Sequence, residues 1–171
     1  MKLSKNFSLA EMIKSQTAER KDINNNPNED NIENLQRLCE HVLQPVRDHY
    51  GKVVSVSSGF RSPELCEAIG SSKTSQHASG QAADFEIYGV SNKKLADYIA
   101  DNLDFDQLIL EYWKPEEPNS GWVHCSFKSA DSNRKEYLRA IKGSDGRTSY
   151  QKEYSAEKGP TTEDVNDSLM N

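Results

Sequence analysis

The clearest pattern of apolar and polar positions follows an asparagine-rich polar loop at residues 24–30. Apolar side chains then recur at three- and four-residue steps, which predicts a helix that buries one face. These positions are Ile32, Leu35, Cys39, Val42, Leu43 and Val46. Pro45 lies inside the pattern. Because proline lacks a backbone N–H and its ring clashes with the preceding turn, we expect the helix to kink or end there.

Start and stop residues mark further helices. Ser8, with Glu11 three residues later, matches a capping box before a short helix. Ser62 followed by Pro63 is typical of a helix start, and Gly70 of its end.

Short segments that are rich in β-branched residues or that alternate between apolar and polar residues predict strands. A further helix is predicted over residues 91–101. The candidate strands cover residues 53–56, 81–87, 106–112 and 121–127. Strands and helices mixed in this way, with short loops between them, predict an α+β fold. We expect a small, mainly antiparallel sheet with helices packed on one side.

Composition and charge restrict the classes of partner. The chain has 171 residues, 35% of them hydrophobic, with 21 basic and 27 acidic residues and a net charge of −6. No cluster of Lys and Arg is present that could follow a phosphate backbone, so nucleic acid is not an expected partner. No apolar stretch approaches the length of a membrane span, so membrane insertion is not expected either.

The two ends of the chain differ from its middle. The first residues lack the apolar stretch of an export signal. The chain also has three cysteines, and this odd number is typical of free thiols in a reducing compartment. After residue 142 the apolar pattern fades and acidic residues outnumber basic ones. We therefore predict one domain over residues 1–142 and an acidic, mobile tail over residues 143–171.

Candidate chemistry is concentrated on two of the predicted strands. His124 alternates with the apolar residues of its strand, and Asp84 does the same on the strand before it. His77 lies in the turn-rich loop that leads into the Asp84 strand. Two imidazoles and one carboxylate on one sheet face are a zinc-type ligand set that leaves one position open. The alternative is a hydrogen-bonded His–Asp pair on a half-exposed sheet.

The same segments carry a family resemblance. Residues 75–85 read Ser-Gln-His-x-x-Gly-x-Ala-Ala-Asp-Phe and residues 121–124 read Gly-Trp-Val-His. This pattern resembles the zinc D-alanyl-D-alanine carboxypeptidase and L-alanyl-D-glutamate endopeptidase family, including its bacteriophage-type branch, whose fold is shared with hedgehog-type domains. The likeness extends upstream through residues 43–47 and 57–62 and covers roughly residues 7–128.

The resemblance implies one Zn²⁺ ion held by His77, Asp84 and His124. It also implies that Arg61 binds the substrate or polarises its carbonyl, although a loop ion pair would explain this arginine too. Many relatives have a glutamate three residues before the second histidine, where this chain has Gly121.

Glu111, near the end of the neighbouring strand, is the residue we expect to act as general base in place of that glutamate. If it faces the metal, Leu108 and Leu110 face the core. Glu116 and Glu117 are the less favoured candidates. The residues expected to line the cleft are Ser75, Gln76, Trp122 and Ser126.

These expectations describe a monomeric zinc metallopeptidase that cuts a peptide bond in bacterial peptidoglycan stem peptides. As a phage-type lysin it would be found in the cytoplasm of an infected bacterium or with the virion, and would act on the cell wall. Because Gly121 departs from the family pattern, a non-catalytic, metal-stabilised wall-binding or virion structural module is an alternative. A cytosolic dipeptidase is a third.

Overall fold

A computed structural model describes residues 1–160, 164, 165 and 169. Its centre is one six-stranded sheet in the order β1-β2-β4-β3-β5-β6. The strands are β1 (Ser55–Ser58), β2 (Ala82–Glu86), β3 (Gln107–Glu111), β4 (Trp122–Ser126), β5 (Glu136–Lys142) and β6 (Thr148–Lys152).

Pairing within the sheet is antiparallel except between β3 and β5, which run parallel. The segments predicted as strands near residues 106–112 and 121–127 form β3 and β4, which pair as a hairpin. The α+β class with a mainly antiparallel sheet, predicted from the sequence, is confirmed.

Six α-helices surround this sheet in the described part of the chain. They are α1 (Leu9–Ile13), α2 (Gln16–Lys21), α3 (Glu29–Leu38), α4 (Gln44–Tyr50), α5 (Pro63–Ala68) and α6 (Asn92–Asn102). The predicted N-cap residues are confirmed, since Ser8 accepts a hydrogen bond from the backbone of Glu11 and Ser62 accepts one from Leu65. The return bond of the predicted capping box, from the Ser8 backbone to the Glu11 side chain, is not among the hydrogen bonds of the described residues. Within the described residues, none of these helices has the length and apolar character needed to cross a membrane.

The long apolar pattern around Pro45 forms two helices joined by one wide turn. Helix α3 passes into a π-helical turn, Cys39–Leu43, and α4 follows with Pro45 near its start. The backbone N–H of Gln44 bonds the carbonyl of Cys39, five residues back. The wider turn accommodates a proline, which has no N–H to donate and needs room for its ring.

The hydrophobic core lies between one face of the sheet and the helices. Six fully buried strand residues belong to this core: Ala83, Phe85, Leu108, Leu110, Val123 and Cys125. The predicted core positions Leu108 and Leu110 are confirmed. Because side chains alternate along a strand, the residues between these six lie on the opposite face, which forms an open cleft.

The chain beyond residue 142 differs from the predicted tail. Strand β6 pairs with β5, and Ser155 is buried. The carbonyl of Tyr154 accepts a hydrogen bond from Lys93 of α6, and the N–H of Ala156 donates one to Asp97. The sequence pattern fails here because these contacts are polar and made through the backbone. The expectation for residues 161–163, 166–168, 170 and 171 lies outside the described residues.

Candidate metal centre and cleft

Three predicted metal ligands converge on the open face of the sheet. Asp84 of β2 and His124 of β4 are directly paired in the antiparallel register, and His124 Nδ1 lies 3.0 Å from Asp84 Oδ1. His77 Nε2 lies 3.5 Å from the same oxygen. Each residue offers one ligand atom, and the three atoms lie within 4.8 Å of one another.

His77 is held in a defined orientation by its loop. It lies in a 3₁₀ turn, Gln76–Ser79, and is only 2% exposed. Its Nδ1 is 2.7 Å from the carbonyl oxygen of Gly59. Because that carbonyl can only accept, Nδ1 carries the proton and Nε2 is left with a lone pair facing Asp84.

Gly80 ends this 3₁₀ turn and explains one of the motif's glycines. Its φ is +75°, and a Cβ there would lie 2.4 Å from the backbone oxygen of Asn31 in α3. A side chain at this position would push the histidine loop away from the helix that supports it.

The electrostatics of the site favour a charged Asp84 carboxylate and a neutral His77 imidazole. Burial raises the pKa of Asp84, but its close contacts with His124 and His77 outweigh burial and lower this pKa well below its ordinary value. Burial lowers the pKa of His77 more than its contact with Asp84 raises it. Neutral imidazole and ionised carboxylate are the forms that bind metals.

This donor set fits zinc. Two imidazole nitrogens and one carboxylate oxygen are ligands that zinc prefers, and three protein ligands leave the open position of a catalytic site. The hydrogen bond from His77 to Gly59 is the kind of supporting contact that orients a ligating histidine.

Glu111 shares the cleft with these residues. It lies on β3 opposite Trp122 of β4, two positions from the pair of Ile109 and His124, and therefore on the same face as His124. Burial raises the pKa of Glu111, His124 lowers it and Asp84 raises it, for a net increase. Among the described residues, no donor bonds its carboxylate, which is left available to a proton or a substrate.

Gly121 cannot be replaced by a glutamate without moving the strand next to it. Its φ is +67°, and a Cβ there would lie 1.8 Å from the backbone oxygen of Glu111. The close backbone approach thus accounts for a glycine at this position, and Glu111 of β3 places a second carboxylate beside Asp84 in the cleft.

Arg61 lies at the side of the cleft, directly after the Gly59 loop. Its backbone N–H donates to the carbonyl of His77 at 3.1 Å. Its side-chain Nε is buried without a hydrogen-bond partner, and the positive charge contributes to lowering the pKa of His77. Over the part of the chain that the structure describes, no carboxylate forms the loop ion pair that the alternative interpretation requires.

The remaining predicted cleft residues divide into two groups. Ser75, Gln76 and Trp122 line the cleft, whose volume is about 970 Å³. Ser126 does not line it: the side chain is fully buried, and its hydroxyl accepts a hydrogen bond from the N–H of Gln107. Strand alternation places Ser126 on the same face as His124, as predicted. At this end of the hairpin, however, its hydroxyl forms a hydrogen bond that links β4 to β3.

Sequence reasoning missed a polar network at the same end of the cleft. Asp106 is fully buried, and its carboxylate accepts hydrogen bonds from the backbone and guanidinium of Arg134 and from Gln76 Nε2, the last at 2.8 Å. Burial raises the pKa of Asp106, but these hydrogen bonds lower it to about 2. Nothing in the local sequence distinguishes this aspartate, because its partners lie 28 and 30 residues away.

Comparison with known proteins agrees with this geometry. A family model described as Peptidase M15 matches residues 5–126, which is more than half of the chain. The matched region contains Arg61, the His77 loop and the cleft residues of β2, β3 and β4. No curated protein matches the chain.

Proposed function

Because the chain belongs to the Peptidase M15 family, we propose that it is a zinc peptidase that hydrolyses a peptide bond in peptidoglycan stem peptides. The observation that carries the proposal is the convergence of His77, Asp84 and His124 with the unpaired carboxylate of Glu111 in one open cleft. The bacteriophage-type, lysin-like setting is part of the proposal and rests on the sequence motifs alone.

His77, Asp84 and His124 would hold the zinc ion, with His77 oriented by Gly59. A zinc ion at such a site supplies a Lewis acid that activates water and polarises the scissile carbonyl. The three ligands leave the cleft side open, where a peptide and a water molecule can enter.

Glu111 would be the general base and then the general acid. Its carboxylate accepts a proton from the water that adds to the carbonyl carbon, and returns this proton to the nitrogen of the leaving amine when the C–N bond breaks. Its raised pKa suits both steps, because a carboxyl group whose pKa is closer to the working pH both accepts and donates the proton more readily.

Arg61 would stabilise negative charge. Its guanidinium has no carboxylate partner among the described residues, so it can donate to the carbonyl oxygen as charge develops there, or to a carboxylate of the substrate. Ser75, Gln76 and Trp122 would contact the peptide on either side of the scissile bond.

The proposal is tested by digesting purified sacculi with zinc-loaded protein and identifying the fragments by mass spectrometry. New amino groups should appear with the wild-type protein and not after zinc is removed. Glu111→Gln should retain zinc at normal stoichiometry and lose about 10²–10⁴ in kcat/KM. Glu116→Gln, in an exposed loop outside the cleft, is the matched control.

Two results would contradict the proposal. Full activity of His77→Ala would show that the predicted ligands are not needed. Zinc bound at normal stoichiometry without any release of amino groups would favour the non-catalytic wall-binding alternative. The mass of the released fragments distinguishes a carboxypeptidase from an endopeptidase.

A further inference from the structure

A second pocket lies beside the cleft and is lined by three cations. Its volume is about 380 Å³, and its lining includes Lys14, Arg20 and Arg61. None of its lining residues is acidic, although the chain as a whole carries a net charge of −6. We call these three residues and the space between them the cationic pocket.

The cationic pocket adjoins the cleft. Arg61 and Ile69 line both cavities. Lys14 follows α1 and Arg20 lies in α2, so the N-terminal helices bring positive charge to the edge of the sheet. The two cavities are therefore neighbours, and Arg61 lies where a substrate group extending from the candidate metal centre would meet this pocket.

The charges of the pocket are not neutralised within the described residues. Arg20 Nη2 donates to the hydroxyl of Thr17, and neither Lys14 nor Arg61 has a carboxylate within 4.0 Å in the described part of the chain. The buried Nε of Arg61 also lacks an acceptor. Burying an unpaired donor of a charged group costs free energy, so this arginine is suited to an acceptor that arrives with a ligand.

We propose that the cationic pocket binds a carboxylate of the substrate and so selects peptides that carry an acidic group beside the scissile bond. This inference rests on the proposed peptidase function. Ser58 and Thr17 also line the pocket, and their hydroxyls can donate neutral hydrogen bonds. Cationic donors recognise a carboxylate over its neutral amide, because only the carboxylate gains charge-assisted hydrogen bonds.

Stem peptides offer two sources of this carboxylate, the free carboxylate of a γ-linked D-glutamate and the C-terminal carboxylate. Three synthetic peptides separate them: L-alanyl-γ-D-glutamyl-L-lysyl-D-alanyl-D-alanine, the same peptide with the glutamate carboxylate amidated, and the same peptide with its C-terminus amidated. The amidation that lowers kcat/KM identifies the group that the pocket binds.

The variants are Lys14→Met and Arg20→Met, with Lys21→Met as the matched control. Lys21 is an exposed cation of the same helix as Arg20 but does not line the pocket. For the wild-type protein we expect the acid to be preferred over its amide by about tenfold in kcat/KM. Each pocket variant should reduce this preference about threefold, and added salt should weaken it further.

Calorimetric binding of the same peptides to zinc-loaded Glu111→Gln provides a readout that does not depend on turnover. Equal kcat/KM and equal affinity for acid and amide would overturn the pocket proposal while leaving the peptidase intact. The same conclusion follows if Lys21→Met lowers the preference as much as Lys14→Met does. Acid-selective binding without cleavage of any peptide by the wild-type protein would support the pocket and refute the proposed peptidase function.

Discussion

Replacing Gly121 by alanine tests whether the close approach of two strands fixes the cleft. Gly121 has a φ of +67°, and a Cβ there would lie 1.8 Å from the backbone oxygen of Glu111. Ordinary contact begins at about 3.4 Å. The obstacle is backbone rather than a flexible side chain, so the end of the β3–β4 hairpin has to open.

The expected cost has two parts. An L-residue in the left-handed region loses about 1–2 kcal/mol relative to glycine. Separating the overlapping atoms adds about 1–3 kcal/mol, as in other overpacked sites. We therefore expect Gly121→Ala to lower the free energy of unfolding by about 2–5 kcal/mol, a large share of the stability of a domain of this size.

Gly51→Ala is the matched control, because Gly51 has a φ of +60° but no atom within 4 Å of the added Cβ. The loss in free energy of unfolding caused by Gly51→Ala should therefore contain only the part that comes from placing an L-residue in the left-handed region. Urea unfolding of both variants, followed by tryptophan fluorescence, gives the two free energies and separates the overlap from the strain. If Gly121→Ala is no more destabilising than Gly51→Ala, the close approach does not constrain the hairpin and our explanation for the missing glutamate is wrong.

Three further predictions concern stability and reactivity. Because the pKa of Asp106 is lowered to about 2, its charged form contributes about 2 kcal/mol to the free energy of unfolding above pH 4. This contribution is lost as the pH falls from 4 to 2. The difference in free energy of unfolding between wild type and Asp106→Asn, measured by urea unfolding, should therefore shrink over that range. Ser126→Ala should lower the free energy of unfolding by about 1–2 kcal/mol without changing KM, because its buried hydroxyl bonds backbone rather than substrate; a raised KM at unchanged stability would contradict this. Burial raises the pKa of all three cysteine thiols, that of Cys39 to about 12. Cys39, Cys66 and Cys125 should therefore not react with a disulfide reagent at pH 8 until the protein is unfolded. Rapid labelling of the native protein would refute their burial.

The open face of the sheet was predictable because alternation is a local property. Asp84, Glu111 and His124 each lie between apolar neighbours in sequence, and the structure places all three on the face opposite the core. Once that face was defined, Glu111 could be preferred over the loop glutamates from strand pairing alone.

Features that depend on distant partners were not predictable in the same way. The burial of Asp106 depends on donors 28 and 30 residues away, and the close approach at Gly121 depends on the backbone of β3. Strand β6 joins the sheet through backbone pairing with β5, and Tyr154 and Ala156 are held by polar contacts with α6. None of these leaves a hydrophobic period in the sequence, since each is made by polar groups or by backbone.

The direct pairing of Asp84 with His124 would give a metal bound at the proposed site a role in folding as well as in chemistry. A slip of β4 by one residue would turn His124 into the core and bring Val123 or Cys125 to the open face. Only the native alignment presents the complete set of ligands, and an ion that binds this set stabilises that alignment over its competitors. Zinc binding would then favour the native register between β2 and β4, and zinc uptake would show that these two strands are correctly paired.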